Sequence, residues 1–427
     1  MIKNAFILLL FPALLSAQTV HSVGELFDSL KTHSATTGDE IRIEQALAGK
    51  NMAYSKLYPN IDVFGRYDYA SIPTGMVPVP PNELLAMVQH QSVPQPFSER
   101  ISRVGATVSM PIFVASIFTS AAKAKMMYQS AEDQKYVNLL KNEAILVSAN
   151  ANLLYMQALQ QALEKKKNSL LKTKEFVVIK VDNGRAPESA LLNMNNAIHQ
   201  IDVLKNDIAL QQEEVLSTIQ SLTGIRLTGP VPMQQLGNYI SGEIKALDPL
   251  RKKLEADELG LRAEKQKLWP MVALQGSYSR NFANAYNNNK SLANNYYTVG
   301  VMVKLPVFAM DQYAQIEKSS ADVNATENEL DKMTLELTSQ ARQLENSMVL
   351  LSNSLELYQA SIKEKEELLA IAKVSYASDQ MSMEDYLKYE DDLVLEQSKL
   401  FKTQAQKWQT LVKLAVLYGN NIEEIVK

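Results

Sequence analysis

Cysteine is absent from this chain of 427 residues. That excludes disulfides, thiolate metal sites and a lipid-modified N-terminal cysteine. Histidine is scarce: His21, His33, His90 and His199 are scattered, without HExxH or another paired metal-binding spacing. No GxSxG, GxGxxG or P-loop pattern stands out, so neither an enzyme nor a bound cofactor is expected. Glycine and proline are sparse, at 15 each, in a chain dominated by Leu, Ala, Lys, Glu and Gln. Such a composition favours helix. The formal net charge of −4 gives no general attraction to nucleic acid.

Residues 1–17, MIKNAFILLLFPALLSA, combine Lys3, an apolar run from Ala5 to Leu15 and the small residues Ser16 and Ala17. This reads as a secretory signal, with cleavage after Ala17 leaving Gln18 as the new N-terminus. The run falls short of the roughly 20 residues a spanning helix requires. The chain is expected to be exported.

What is present is repetition. LYPNIDVFGRYDY (57–69) recurs as LWPMVALQGSYSR (268–280), with Leu57, Pro59, Gly65 and Tyr67 returning as Leu268, Pro270, Gly276 and Tyr278 at a shift of 211. VGATVSMPIF (104–113) recurs as VGVMVKLPVF (299–308) at a shift of 195, so the second intervening loop is 16 residues shorter. Strict alternation in these segments predicts strands at 60–70, 103–110, 270–281 and 298–305. Residues 71–101, with six prolines, read as loop, and Pro111 as the close of the second strand.

Each strand pair is followed by a stretch free of proline and glycine, from about Val114 to Val181 and again over about 309–375. A helix of roughly 68 residues would be about 100 Å long. The stretches end at VDNGRAP (181–187) and YASDQMS (376–382), again 195 apart, and these read as tip turns. From Glu188 a heptad pattern begins. Met194, Ile201, Ile208, Val215 and Leu222 fill one seam position and Leu191, Ile198, Lys205, Gln212 and Ile219 the other, eight of the ten being apolar. That is one arm of a coiled-coil hairpin. The second return arm carries Leu387, Leu393, Val394, Leu400, Phe401, Trp408, Leu411 and Leu414. A helix is expected over 22–56, and Asp248-Pro249 reads as an N-cap opening a helix to Trp269. The organisation is therefore a signal (1–17), a first repeat (18–233) and a second repeat (234–427).

Strands of about ten residues have the length of tilted bilayer-spanning strands. In lipid every backbone N–H and C=O must be paired, so spanning strands close into a barrel, and about eight is the usual minimum. Four would have to be shared with other chains. Tyr58, Tyr67, Tyr69, Trp269, Tyr278, Tyr296 and Tyr297 near strand ends suit an interfacial aromatic girdle. A small soluble sheet packed on the helices is the competing reading.

The LYP and LWP junctions, the strand-ending SMPIF and KLPVF, the two uninterrupted rods and the tip motifs, in this order and spacing, resemble the TolC family of outer-membrane efflux proteins. The resemblance implies a mainly α fold with membrane β structure. Three chains would share a twelve-stranded barrel above a periplasmic α-helical tunnel, with Asp62, Arg66, Asp68, Arg103 and Gln275 facing the barrel lumen. It also implies an adaptor (membrane fusion protein) and an inner-membrane transporter of RND or ABC type as partners, with outer-membrane lipid around the barrel. Family tips read roughly Tyr-x-x-Gly-x-x-Ser with an acid three positions on. The first tip departs, with Val181 for Tyr, Gly184 retained, Pro187 for Ser and Ala190 for the acid. The second retains Tyr376, Ser382 and Asp385 but has Asp379 for Gly. The family's second gate acid falls three positions after the first, where this chain has Lys388. The resemblance makes Tyr376 and Asp385 candidates for a periplasmic gate, with Lys388 and Arg185 as offsetting cations at the same gate, and Val181, Gly184, Pro187, Asp379 and Ser382 candidates for adaptor contact. Solvated charges at a helix start are the plainer reading of the same residues. The exit channel of a type I protein secretion system has the same architecture; from another class, a periplasmic adaptor or an exported structural coiled coil remains open.

Overall fold

A computed structural model describes residues 22–90 and 92–427; the signal expected at 1–17 lies outside them. The order is α1 (Val23–Thr32), α2 (Ser34–Ser55), β1 (Asn60–Gly75), α3 (Pro81–Gln89), β2 (Phe97–Phe113), α4 (Ala115–Asp182) and α5 (Glu188–Thr223). Then come α6 (Asp248–Gln266), β3 (Met271–Asn284), β4 (Ser291–Lys304), α7 (Met310–Ala377), α8 (Met383–Tyr418) and α9 (Ile422–Ile425). α4 and α7 each have 68 residues, α5 and α8 each 36. Gly224 and Gly419, at φ of 72° and 68°, cap α5 and α8 in the left-handed conformation that glycine tolerates best.

Several expected boundaries move. The helix expected over 22–56 is two, because His33 is extended and the Thr36 hydroxyl lies 2.9–3.1 Å from the carbonyls of Leu30, Lys31 and His33 at the end of α1. Asp248 is already helical, preceded by a 3-10 turn over Lys245–Leu247, so it is not an N-cap. The strands have 14 to 17 residues rather than about ten. The expected loop at 71–101 gives its ends to β1 and β2 and its middle to α3. Pro73 is tolerated because β1 is an edge strand whose register shifts between Tyr69 and Thr74. Pro111 does not close β2: β1 pairing has already ended at Ser109, and the β3 pairing shifts just past Pro111.

The described chain forms two compact units, each drawing on both repeats. One, Ile43–Ala131 with Pro249–Leu330, contains an antiparallel meander in the order β1-β2-β3-β4. β2 and β3 pair from Ser102↔Phe282 to Phe113↔Val272, joining the two hairpins into one sheet. Gly105 permits that pairing: a Cβ there would lie 2.2 Å from the Tyr278 carbonyl oxygen and 2.9 Å from the Phe64 ring. In the same unit α6 buries Ala256, Gly260 and Ala263, side chains small enough for close helix packing.

The other unit comprises the chain through Arg42, Glu132–Asp248 and Asp331–Lys427. Met156, Leu163, Leu170 and Val177 repeat every seven residues along α4 and are buried in one cluster with Met194, Ile201 and Ile208 of α5. The two polar seam positions of α5 find polar partners on α4. Lys205 pairs with Glu164, and Gln212 exchanges two amide hydrogen bonds with Gln160 at 3.1 and 3.3 Å. Such matched polar layers select a register. A second cluster gathers α1, α4, α8, α9 and the linker after α5. There the fully buried Asn150 donates to the Val231 carbonyl and accepts from the Val231 N–H, both at 2.8 Å. Asn150→Ala would strand both backbone groups, and we expect a loss of about 2–4 kcal/mol in urea unfolding of this unit.

Candidate functional site

The candidate residues fall in two places, the sheet faces and the hairpin tips. Directly paired residues share a face of a sheet. On one face lie Asp62, Arg66, Asp68, Arg103 and Gln275, all five sequence candidates, together with Thr107, Ser277 and Thr298. Arg66 and Arg103 sit opposite one another, and Asp68 forms ion pairs with both, offsetting the like-charge repulsion. Asn60 donates to Asp62 at 2.9 Å, and the Ser277 and Thr298 hydroxyls lie 2.7 Å apart.

The opposite face is apolar and open. Ile61, Val63, Val104, Val299, Val301 and Val303 are exposed, Val63 at 79%. One end of this band carries Tyr67, Tyr69, Tyr278, Phe282 and Tyr297; at the other, just outside the strands or at their ends, are Tyr58, Phe113, Trp269 and Phe308, also exposed. From the Val272↔Val303 pair to the level of Phe282 is ten residues, roughly 33 Å along a strand. At a tilt of about 45° that is roughly 23 Å of depth, close to the height of the apolar band of membrane barrels.

At the tips the two hairpins close with the same backbone pattern. Gly184 N–H bonds the Val181 carbonyl and Arg185 N–H the Lys180 carbonyl; Asp379 and Gln380 repeat these bonds to Tyr376 and Ser375. Gly184 has φ +69° and Asp379 φ +60°. The aspartate therefore occupies the left-handed position that glycine takes in the first tip, at roughly 1–2 kcal/mol of steric cost. Ser382 is the N-cap of α8: it accepts from the Asp385 N–H at 3.1 Å while its hydroxyl donates to the Asp385 carboxylate at 2.6 Å. Pro187 holds the equivalent place without a side-chain cap. Arg185 and Lys388 are exposed.

The structure does not bring the candidate gate residues into one cluster. Asp385 is engaged by Ser382, whereas Tyr376 belongs to a separate group whose other members, Asp379 apart, sequence reasoning missed. Its ring stacks on Tyr386 with centroids 5.3 Å apart, and the Lys180 ammonium lies 4.8 Å from its centroid. Lys180 also pairs with Asp379 and donates to the Tyr376 carbonyl at 3.4 Å, so one cation of the first hairpin engages three features of the second. Behind it, the fully buried Tyr386 donates to Glu390 at 2.7 Å, and Ser169 of α4 donates to the same carboxylate oxygen at 2.7 Å. The Thr173 hydroxyl lies 3.3 Å from that of Tyr386. Burial, opposed by the Ser169 and Thr173 hydrogen bonds, pushes the Tyr386 phenol up to about 12, so it remains a donor at ordinary pH. Burial, then the Asp379 charge, raises that of Tyr376. The available signal was Tyr386 and Glu390, four apart, on the inward face of a heptad helix, where polar groups must find partners. Tyr386→Phe should leave Glu390 short of a donor and lower stability by about 1–3 kcal/mol in thermal or urea melts, with Phe retaining the ring stack.

Residues 245–420 match the family model described as outer membrane efflux protein. No curated sequence matches the chain. Among solved structures, the fold is similar to the CmeC outer membrane channel of Campylobacter jejuni, with a TM-score of 0.76, 16% identity and coverage of 93% of this chain and 85% of that one. It is similar to the outer membrane protein VceC of Vibrio cholerae, with a TM-score of 0.77, 14% identity and coverage of 93% and 96%. A membrane protein from Pseudomonas aeruginosa gives a TM-score of 0.79 at 13% identity, covering 93% and 90%.

Proposed function

We infer that this chain belongs to the outer membrane efflux family and is the exit duct of an efflux system; the match over 245–420 and the fold similarity to solved outer-membrane channels support the reading. It is a passive conduit in the outer membrane, not an enzyme. One observation carries the reading: a four-stranded meander with one exposed apolar face, in which β1 and β4, among the described residues, each pair on one side only. In lipid such edges must be paired, so neighbouring copies complete the barrel. Three chains give the twelve strands expected of the family. The hairpins support assembly too. Phe176 and Ile179 are exposed on α4, and Ile371 and Val374 are exposed at the equivalent places of α7; packing between copies would cover them. Substrates enter from an inner-membrane transporter through a periplasmic adaptor that engages the tips around Val181, Gly184, Pro187, Asp379 and Ser382.

In the closed state the Lys180 contacts hold the second tip against the first hairpin. Tyr376 supplies the aromatic surface and Asp385 the charge at the entrance, with Lys388 and Arg185 as cations of the two tips that offset it. Opening replaces these polar links by contacts to the adaptor, a population shift between two states.

Detergent-extracted protein should have the mass of three chains, and a stable folded monomer would overturn the reading. In this cysteine-free chain, single cysteines test the faces. A membrane-impermeant reagent should label position 66 but not 63 or 274, and Val63→Arg should cost about 2–4 kcal/mol. In planar bilayers Lys180→Met and Tyr376→Ala should raise resting conductance, and Asp385→Ala should reduce cation preference. Parent-like conductance in all three would place the gate elsewhere.

A further inference from the structure

We propose that the end of the chain is a proton-controlled latch, in which Glu143 of α4, buried beside the Lys31–Glu423 ion pair, keeps α9 and the middle linker docked when neutral and loosens them when charged. The latch belongs to the fold and does not depend on conduction.

Two acids, Glu143 and Glu423, lie within electrostatic reach of one base, Lys31, which contacts Glu423. Glu143 is 2% exposed, and its Oε2 has no hydrogen-bond partner among the described residues. Lys31 of α1 lies 2.5 Å from Glu423 of α9 and 3.6 Å from Asp28, so its charge is already committed to other carboxylates. Asp28 is the further charge from α1, Glu424 the further acid from α9, and Tyr136, on α4 itself, donates to the Gly419 carbonyl at 3.2 Å. α5, the linker and α8 contribute apolar residues to this core, among them Ile219, Val231 and Val412. A buried carboxylate with one committed cation nearby is poorly compensated.

What Glu143 lies beside is a clasp. Ile422, Ile425 and Val426 are buried in the same core. Gln234 N–H bonds the Lys427 carbonyl at 2.7 Å, Lys427 N–H returns the bond at 3.0 Å, and Leu236 N–H bonds the Ile425 carbonyl at 2.8 Å. These bonds tie the chain's end to the linker between its repeats. A cavity of about 560 Å³ lined by Gly24, Phe27, Asp28, Leu236, Glu423 and Lys427 opens beside the clasp and gives water access to it.

Burial first, then the Glu423 charge, opposed by Lys31, pushes the Glu143 carboxyl up from 4.5 to about 7. The docked state therefore binds more protons than an opened state with ordinary carboxyl acidity. Its stability is full below about pH 4.5, falls as pH rises towards 7, and stays at the lower level above that.

The test is hydrogen exchange on the full-length protein in detergent, read as protection factors corrected for intrinsic exchange, for peptides covering 233–240 and 420–427. From about pH 5.5 to about pH 8.5 the parent should lose about tenfold or more in protection there, and little in the α4/α5 seam. Glu143→Gln, neutral at every pH, should keep the acid-side protection throughout. Lys31→Met should move the midpoint of the fall to higher pH, because Lys31 favours the charged form. A parent without the fall, a Glu143→Gln variant that retains it, or an unmoved midpoint in Lys31→Met would each overturn the latch.

Discussion

In the bilayer placement proposed above, a backbone amide of the sheet has no water to turn to, and this constraint accounts for the architecture. Four strands satisfy their inner neighbours and leave two edges open, a condition tolerable in water and untenable in hydrocarbon. The sheet's amphipathic character sharpens the demand. Its exposed apolar face, from Val303 up to the tyrosine rows, suits lipid, while the Arg66–Asp68–Arg103 group on the other face suits water. Only closure with further strands puts both faces where they belong. Phe176, Ile179, Ile371 and Val374 are likewise exposed on the long hairpins, where the proposed assembly would cover them.

Polar side chains inside the hairpins work by pairing rather than by number. Lys205 and Gln212 interrupt an apolar seam yet meet Glu164 and Gln160. Sliding the helices would separate these partners, so they oppose register slips that a uniform apolar seam would allow. Towards the tips the same logic becomes a cross-hairpin connection, in which Glu390 is held by donors from both α4 and α8. Links between polar groups can be exchanged for others of the same kind at small net cost. That suits the opening proposed for the tips.

The clasp of α1, the linker and α9 lies at the opposite extreme, a small apolar core closing three distant parts of the chain around one buried acid. Its stability depends on one proton, whereas the tip connections combine the Lys180–Asp379 ion pair with hydroxyl donors to Glu390.

The repeat and its spacing were legible from residue order, because strand alternation and turn chemistry are local. The matching 68-residue helices, the tip turns and the heptad seam of α5 all followed from them. The division of the sheet into a charged and an apolar face was legible too, since the side-chain period of a strand is two. Strand ends were not, because Pro73 and Pro111 break a strand only where their missing N–H is needed, and that depends on which neighbour lies alongside. Nor was the tip clasp. Lys180 and Asp379 are 199 residues apart, and Tyr386 looks like any heptad aromatic until α4 delivers Ser169 and Thr173 to its hydroxyl. Glu143 shows the limit most plainly: its sequence neighbours mark it as one acid among many on a long helix. Only the arrival of α1 and α9 removes its water and places Lys31 and Glu423 beside it, because desolvation is a property of the assembled core and not of any segment.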